Sequence, residues 1–133
     1  MKKNTYKFSS LGAFALVVLA AAAVFVLTGC SGGNQGFWNQ IELGQVDLDS
    51  VPPGTYTGQY EAGPVKAVVS VEVAGGRIQD IEILEHRHLL GRRAERQIPS
   101  RVLSAQSVQV DTVTRATASS MVILKAIEIA LSP

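Results

Sequence analysis

Between residues 65 and 73 the chain repeats with a period of two: Val65, Ala67, Val69, Val71 and Val73 alternate with Lys66, Ser70 and Glu72. Successive side chains of an extended backbone point to opposite faces, so this pattern makes a strand with one buried side. Val68 interrupts the polar series, and that face is expected to be partly covered as well. Ala74-Gly75-Gly76 follows and suits a hairpin turn. Ile81 and Ile83 then alternate with Asp80, Glu82 and Glu85. Upstream, Pro52-Pro53-Gly54 marks a turn that opens the domain, and Thr55 to Tyr60 is rich in Thr and Tyr. Gly63-Pro64 ends that run. Three strands in an antiparallel meander follow, with Tyr56 and Tyr60 as sheet residues, and their apolar face needs a cover.

The cover comes from the second half. Leu89 to Gln97 suits a short, Arg-rich helix. Pro99 interrupts it, and Ser100 is placed to cap a second helix running to about Ser107. Val108 to Val113 reads as extended again. Ala118 to Leu131 is the strongest helix of the chain, with only Lys125 and Glu128 clearly polar, so it must be covered on most sides. The expected class is α+β: a small antiparallel sheet with helices packed on one face.

The first 29 residues follow another logic. Lys2, Lys3 and Lys7 precede an apolar run from Leu11 to Leu27, the pattern of a secretory signal whose charged end stays on the cytoplasmic side. The run ends in Leu27-Thr28-Gly29-Cys30, which resembles the bacterial lipobox. That resemblance implies a diacylglyceryl group on Cys30, the only cysteine, and cleavage just before it. An uncleaved anchor is the other reading, since Phe8 to Cys30 is long enough to span a bilayer. Both put the domain outside the cell. Ser31 to Gly36 is polar and Gly-rich, as a flexible tether would be. Phe37 and Trp38 are open between the domain and the membrane surface. The chain therefore divides into a lipoprotein signal peptide (1–29), a lipid anchor and tether (30–53) and a folded domain (54–133).

Past the three leader lysines, nine basic residues face 11 acidic ones, a net of about −2. That balance offers no electrostatic case for nucleic-acid binding. A local basic patch remains in Arg87, Arg92, Arg93, Arg96 and Arg101, either a solvated helix face or a contact for phosphate or an acidic partner. His86 and His88 occupy alternate positions after a strand. No third ligand is evident beside them, so no metal site is expected.

Chemistry concentrates in Val110 to Ser120, where the extended stretch meets the strongest helix. The first turn of a helix has unpaired N–H groups and favours negative charge, which makes it a phosphate site. Thr117 falls at or beside the N-cap, and Ser119 and Ser120 fall in the first turn. These hydroxyls either cap the helix or receive a phosphate.

The same segment resembles the flavinylation motif of the FMN-binding domain family, Asp-x-x-Ser/Thr-Gly-Ala-Thr, through Asp111, Thr114, Ala116 and Thr117. The family also includes domains of the flavoprotein subunits of the Rnf and sodium-pumping NADH:quinone reductase complexes. Further similarity lies in Gly54 to Gly58, the valine-rich strand, Gly75 to Ile78, Ile81 to His86, Ile98-Pro99 through Gln106-Ser107, and the closing helix. It spans about residues 54–131. One position departs: Arg115 stands where the motif has glycine. A glycine there permits positive φ or close approach of the modifying enzyme. An arginine is able to pair with a phosphate oxygen instead.

The resemblance implies FMN as cofactor, joined by a phosphoester to Thr117 by a flavin transferase. It places Asp111, Thr114, Ala116, Ala118, Ser119 and Ser120 in the cofactor site, with no catalytic residue of the chain's own. An electron carrier is expected rather than a self-sufficient enzyme. It would act on the outer face of the cytoplasmic membrane, anchored to the bilayer through Cys30, with membrane or surface redox proteins as partners. The alternative is a lipid-anchored binding or adaptor domain that keeps the fold without covalent flavin.

Overall fold

The computed structural model describes residues 36–132. The expected leader and the expected lipidation site at Cys30 lie outside the described residues. Three strands follow one another in chain order: β1 (Gly54–Ala62), β2 (Val65–Ala74) and β3 (Arg77–Arg87). They form one antiparallel sheet of order β1-β2-β3. Two helices complete the domain, α1 (Arg92–Ala105) and α2 (Thr117–Ala130). The α+β class expected from the sequence is what the chain adopts. Among the described residues no helix is long and apolar enough to cross a membrane.

The valine alternation does the sorting. Val65, Ala67, Val69, Val71 and Val73 are all buried, and Val69 and Val71 are fully so. Gly75 and Gly76 close the β2–β3 hairpin with φ of 61° and 67°. Two successive positive φ values are what the two-residue turn of a twisted hairpin needs, and glycine supplies them without a Cβ penalty. Strand β3 is longer than its sequence pattern suggests because it contains two irregularities, opposite Glu72/Val73 and opposite Val68/Val69. Each inserts one extra residue. As a result Ile78, Ile81, Ile83 and His86 all come opposite inward-facing residues of β2. A strict period of two would have turned half of them outward.

Helix α2 lies across β1 and β2, and α1 packs on β3 and α2. The crossing with β1 is close at Gly58, where a Cβ would collide with the Ala126 carbonyl oxygen. Val122, Ile123, Leu124, Ala126 and Ile127 of α2 are fully buried, as its composition required.

Three expectations need correction. Helix α1 is continuous and Pro99 lies inside it, so Ser100 caps no second helix. Ala94, Ile98 and Val102 recur every fourth residue and are fully buried, which holds the helix together on both sides of the proline. Ser100 instead donates its hydroxyl hydrogen to the Gln97 carbonyl at 2.9 Å. Residues 108–113 pair with no strand; Val108 and Val113 are buried anchors of an irregular segment.

The third correction concerns the expected boundary at Gly54, which lies inside the packed region. Residues 37–51 form two short 3-10 turns, Phe37–Gln40 and Leu48–Ser50, and bury Ile41 and Val51 in the core. Polar contacts strap this segment down. Glu128 accepts the Gly44 N–H at 3.0 Å, Lys125 reaches the Glu42 carbonyl at 2.9 Å, and Gln109 donates to the carbonyls of Leu43 and Gly44.

Candidate functional site

The start of α2 is built by a stitched turn. The Ala116 N–H donates to the Val113 carbonyl at 2.9 Å, and the Ser120 N–H donates to the Ala116 carbonyl at 2.8 Å. The Ser120 hydroxyl accepts the Val113 N–H at 2.9 Å and donates to the Ala116 carbonyl at 2.8 Å. Ser120 is fully buried. Both of these hydroxyl bonds stay inside the protein and stitch the turn to the helix start.

Between these anchors Arg115 has φ 65°, in the left-handed region that favours glycine. The motif's glycine position is thus the position that needs positive φ. Ala116 is the N-cap and offers no side-chain cap, which leaves Thr117 as the first helical residue and not the cap. Within an α-helix the N–H groups of Thr117, Ala118 and Ser119 have no acceptor one turn earlier, and the Thr117 hydroxyl bonds to no described residue.

These groups face a cavity of about 320 Å³. Arg115, Ala116, Thr117, Ala118 and Ser119 form one wall; Phe37, Trp38, Pro64, Val65, Leu89, Leu90 and Gly91 form the others. Phe37 and Trp38 meet edge to face, with ring centroids 5.1 Å apart. A shallower depression of about 630 Å³ adjoins it across Leu89, Leu90 and Arg115, lined further by His88, Arg92, Arg93 and Arg96. The site therefore has an apolar, partly aromatic half and a cationic half, joined at Arg115 beside the helix start.

Gly91 fixes how closely these parts approach. A Cβ there would strike the Ser119 side chain and crowd His86 Cε1. The His86 side chain is 1% exposed, and its Nδ1 lies 3.5 Å from Glu95 Oε2. Its Nε2 is buried without a partner. Burial holds the His86 pKa below the usual histidine value. The Glu95 hydrogen bond opposes that shift, and the charge of His88 reinforces it. His88 accepts the Gly91 N–H on Nδ1 at 3.1 Å, and the two imidazoles lie 4.5 Å apart. Glu95, nine residues after His86 in sequence, is brought beside the two histidines by the fold; the three residues place one ligand atom each within 4.8 Å of one another. All three already engage protein partners there, His86 and Glu95 each other and His88 the Gly91 N–H.

The structure gathers some expected site residues and separates others. Ala116, Thr117, Ala118 and Ser119 share the cavity wall. Thr114 is exposed and lines neither hollow. Asp111 is exposed and lines a different depression with Ser100, Arg101 and Ser104. Its carbonyl and that of Thr112 accept from Arg101 at 2.8 and 3.2 Å, which ties the segment to α1. Of the basic patch, Arg87 pairs with Glu61 and Arg101 with these carbonyls. Arg92, Arg93 and Arg96 are the ones brought to Arg115. Tyr56 donates to the Pro52 carbonyl at 2.7 Å, a sheet-edge role. Sequence reading did not connect Gly91, Leu89-Leu90 or the Phe37-Trp38 pair with Thr117, because the fold alone brings them together.

A flavin mononucleotide combines a flat apolar ring system with a dianionic phosphate. The hollows fit both: the apolar cavity has a volume typical of small-molecule sites, and N–H groups without helical acceptors, a hydroxyl and Arg115 line it, groups of the kind that hold a phosphate. No curated protein matches the chain. The profile of the FMN-binding domain family matches residues 62–132, from the end of β1 through α2 and including the whole turn at Arg115. This match and the site agree: the chain belongs to the FMN-binding domain family, and its cofactor is FMN.

Proposed function

We propose that the chain is an extracytoplasmic, membrane-anchored electron carrier whose FMN is esterified through its phosphate to Thr117. The observation that supports this most is the Thr117 hydroxyl. It stands on the cavity wall at the first helical position, caps nothing, and is flanked by free N–H groups and Arg115. Attachment needs an activated flavin nucleotide and a flavin transferase. The hydroxyl oxygen bonds to the flavin-side phosphorus, the donor's phosphoanhydride breaks, the remaining nucleotide leaves, and the hydroxyl proton passes to a base of the transferase.

When bound, FMN supplies the redox chemistry. The chain's own residues bind and orient it. The N–H groups of Thr117, Ala118 and Ser119 hold phosphate oxygens, Arg115 offsets their charge, and Phe37 and Trp38 cover apolar ring surface. A covalent link suits a protein outside the cytoplasm, where lost FMN is not readily replaced. Anchoring at Cys30 keeps the carrier on the outer face of the cytoplasmic membrane, near membrane or surface redox partners.

The test is intact-mass spectrometry of protein from its native host, compared with Thr117→Ala and Thr117→Ser. The expected results are a gain of one FMN less one water in the native chain and none in Thr117→Ala. Partial or full modification is expected in Thr117→Ser. Covalent flavin retained by Thr117→Ala would refute the linkage. A second reading, an adaptor that keeps the fold without covalent flavin, draws on the bulk of Arg115 at the motif's glycine position. Flavin fluorescence after a denaturing gel separates the two, since only covalently held flavin survives it.

A further inference from the structure

We propose that the face carrying Leu89, Leu90, Arg92, Arg93 and Arg96 rests on an anionic phospholipid surface, so that the flavin cavity opens at the bilayer. The inference rests on the anchoring at Cys30 argued above.

Three observations carry it. Leu89 and Leu90 are adjacent and are 77% and 85% exposed, the most exposed large apolar residues described. Directly after them come Arg92, Arg93 and Arg96, none of which forms an ion pair. Exposed apolar side chains beside free arginines match the boundary between acyl chains and anionic headgroups, where the former enter and the latter meet phosphate.

The chain's path adds the second argument. Phe37 shares a cavity wall with Leu89 and Leu90, and only residues 31–36 separate it from Cys30. Even fully extended, that connection spans at most about 25 Å. A domain of roughly 100 residues is about 30 Å across. The lipid attachment therefore keeps the Phe37 side nearest the bilayer and leaves no length for the chain to reach around the domain.

The third is the distribution of charge. Glu72, Asp80 and Glu82 are exposed on the sheet face turned away from the helices, and none of them forms an ion pair. An anionic surface repels that side and attracts the arginine side, which orients the domain before contact.

The experiment uses the full chain, flavinylated and reconstituted into vesicles. Cys30 is the only native cysteine and is consumed by its lipid, so a cysteine introduced by Leu90→Cys takes a single spin label. A Glu82→Cys chain serves as the reference. On vesicles containing phosphatidylglycerol, the position-90 label is expected to show an oxygen-to-nickel accessibility ratio several-fold above that at position 82. Adding Arg92→Gln, Arg93→Gln and Arg96→Gln is expected to bring the ratio down to its value on pure phosphatidylcholine.

Equal ratios at 90 and 82 in a lipid-carrying chain overturn the proposal, and equal immersion on neutral vesicles removes the role of charge. Protection that appears only when other membrane proteins are added assigns the face to a protein partner and also overturns it. The mass of the labelled chain separates the two levels. A missing diacylglyceryl group, or a second label on Cys30, sinks the anchoring reading itself.

Discussion

At residue scale, Arg115 and Thr117 are two positions apart and carry opposite costs. Arg115 holds φ 65°, a conformation in which a side chain is disfavoured by about 1 kcal/mol relative to glycine. Arg115→Gly is therefore expected to raise folding stability by about 1 kcal/mol in denaturant melts. It also restores the motif's glycine and leaves the N–H groups proposed to hold the phosphate, so the flavinylated fraction should not fall; a lower fraction would mean that the glycine does not make up for the positive charge lost with Arg115. Thr117 makes no cap, so Thr117→Ala should shift stability by no more than about 0.5 kcal/mol while removing the acceptor oxygen. Loss of flavin without loss of fold is the signature of a modification site. These two residues were legible in the sequence, Thr117 by its place before an apolar helix and Arg115 as a departure. The inward role of Ser120 was not, since only the folded turn brings its hydroxyl onto Val113 and Ala116.

At the scale of elements, strong periodicity was readable and compensated irregularity was not. The β2 alternation, the Gly75-Gly76 turn and helix α2 follow directly from side-chain spacing. The continuity of α1 does not. A proline inside a helix costs about 3 kcal/mol locally, and burial of Ile98 and Val102 on either side outweighs it only once β3 and α2 are in place. The bulges of β3 hide its length in the same way, because each shifts the period by one.

The link between α1 and β3 is a side chain. Gln106 ends α1 with φ 52° and exchanges two hydrogen bonds with Ile78: Oε1 accepts its N–H at 2.8 Å, and Nε2 donates to its carbonyl at 3.0 Å. This amide takes the place of a neighbouring strand on the β3 edge. Gln106→Ala is expected to cost about 1–3 kcal/mol, since the Ile78 groups would be left partly buried and unpaired. Chemical denaturation measures this, and a change below about 0.5 kcal/mol would show that water replaces the amide.

At the scale of the whole molecule, the site exists only where separate parts of the chain meet. Phe37-Trp38 before the sheet, Leu89 to Gly91 after it and the α2 start converge on one hollow, which is why sequence alone placed Thr117 but not its surroundings. The same convergence buries His86 beside Glu95, His88 and Ser119. Burial lowers the His86 pKa in the folded state, so the unfolded chain takes up its proton first as pH falls. Stability from this group is complete above the unfolded value of 6.5 and declines below it until the folded pKa is passed. The slope for one proton is at most about 1.4 kcal/mol per pH unit. Thermal melts between pH 7.5 and 5 should show this loss in the native chain and a flatter profile in His86→Gln. Parallel profiles would place the titration elsewhere.

The most direct measurement is peptide-level mass spectrometry of protein from its native host. Trypsin cleaves after Arg115 and Lys125, so one peptide, residues 116–125, isolates Thr117 with Ser119 and Ser120. The predicted result is one FMN less one water on that peptide, with fragment ions placing it on Thr117. An unmodified peptide, or the addition on Ser119 or Ser120, would contradict the account.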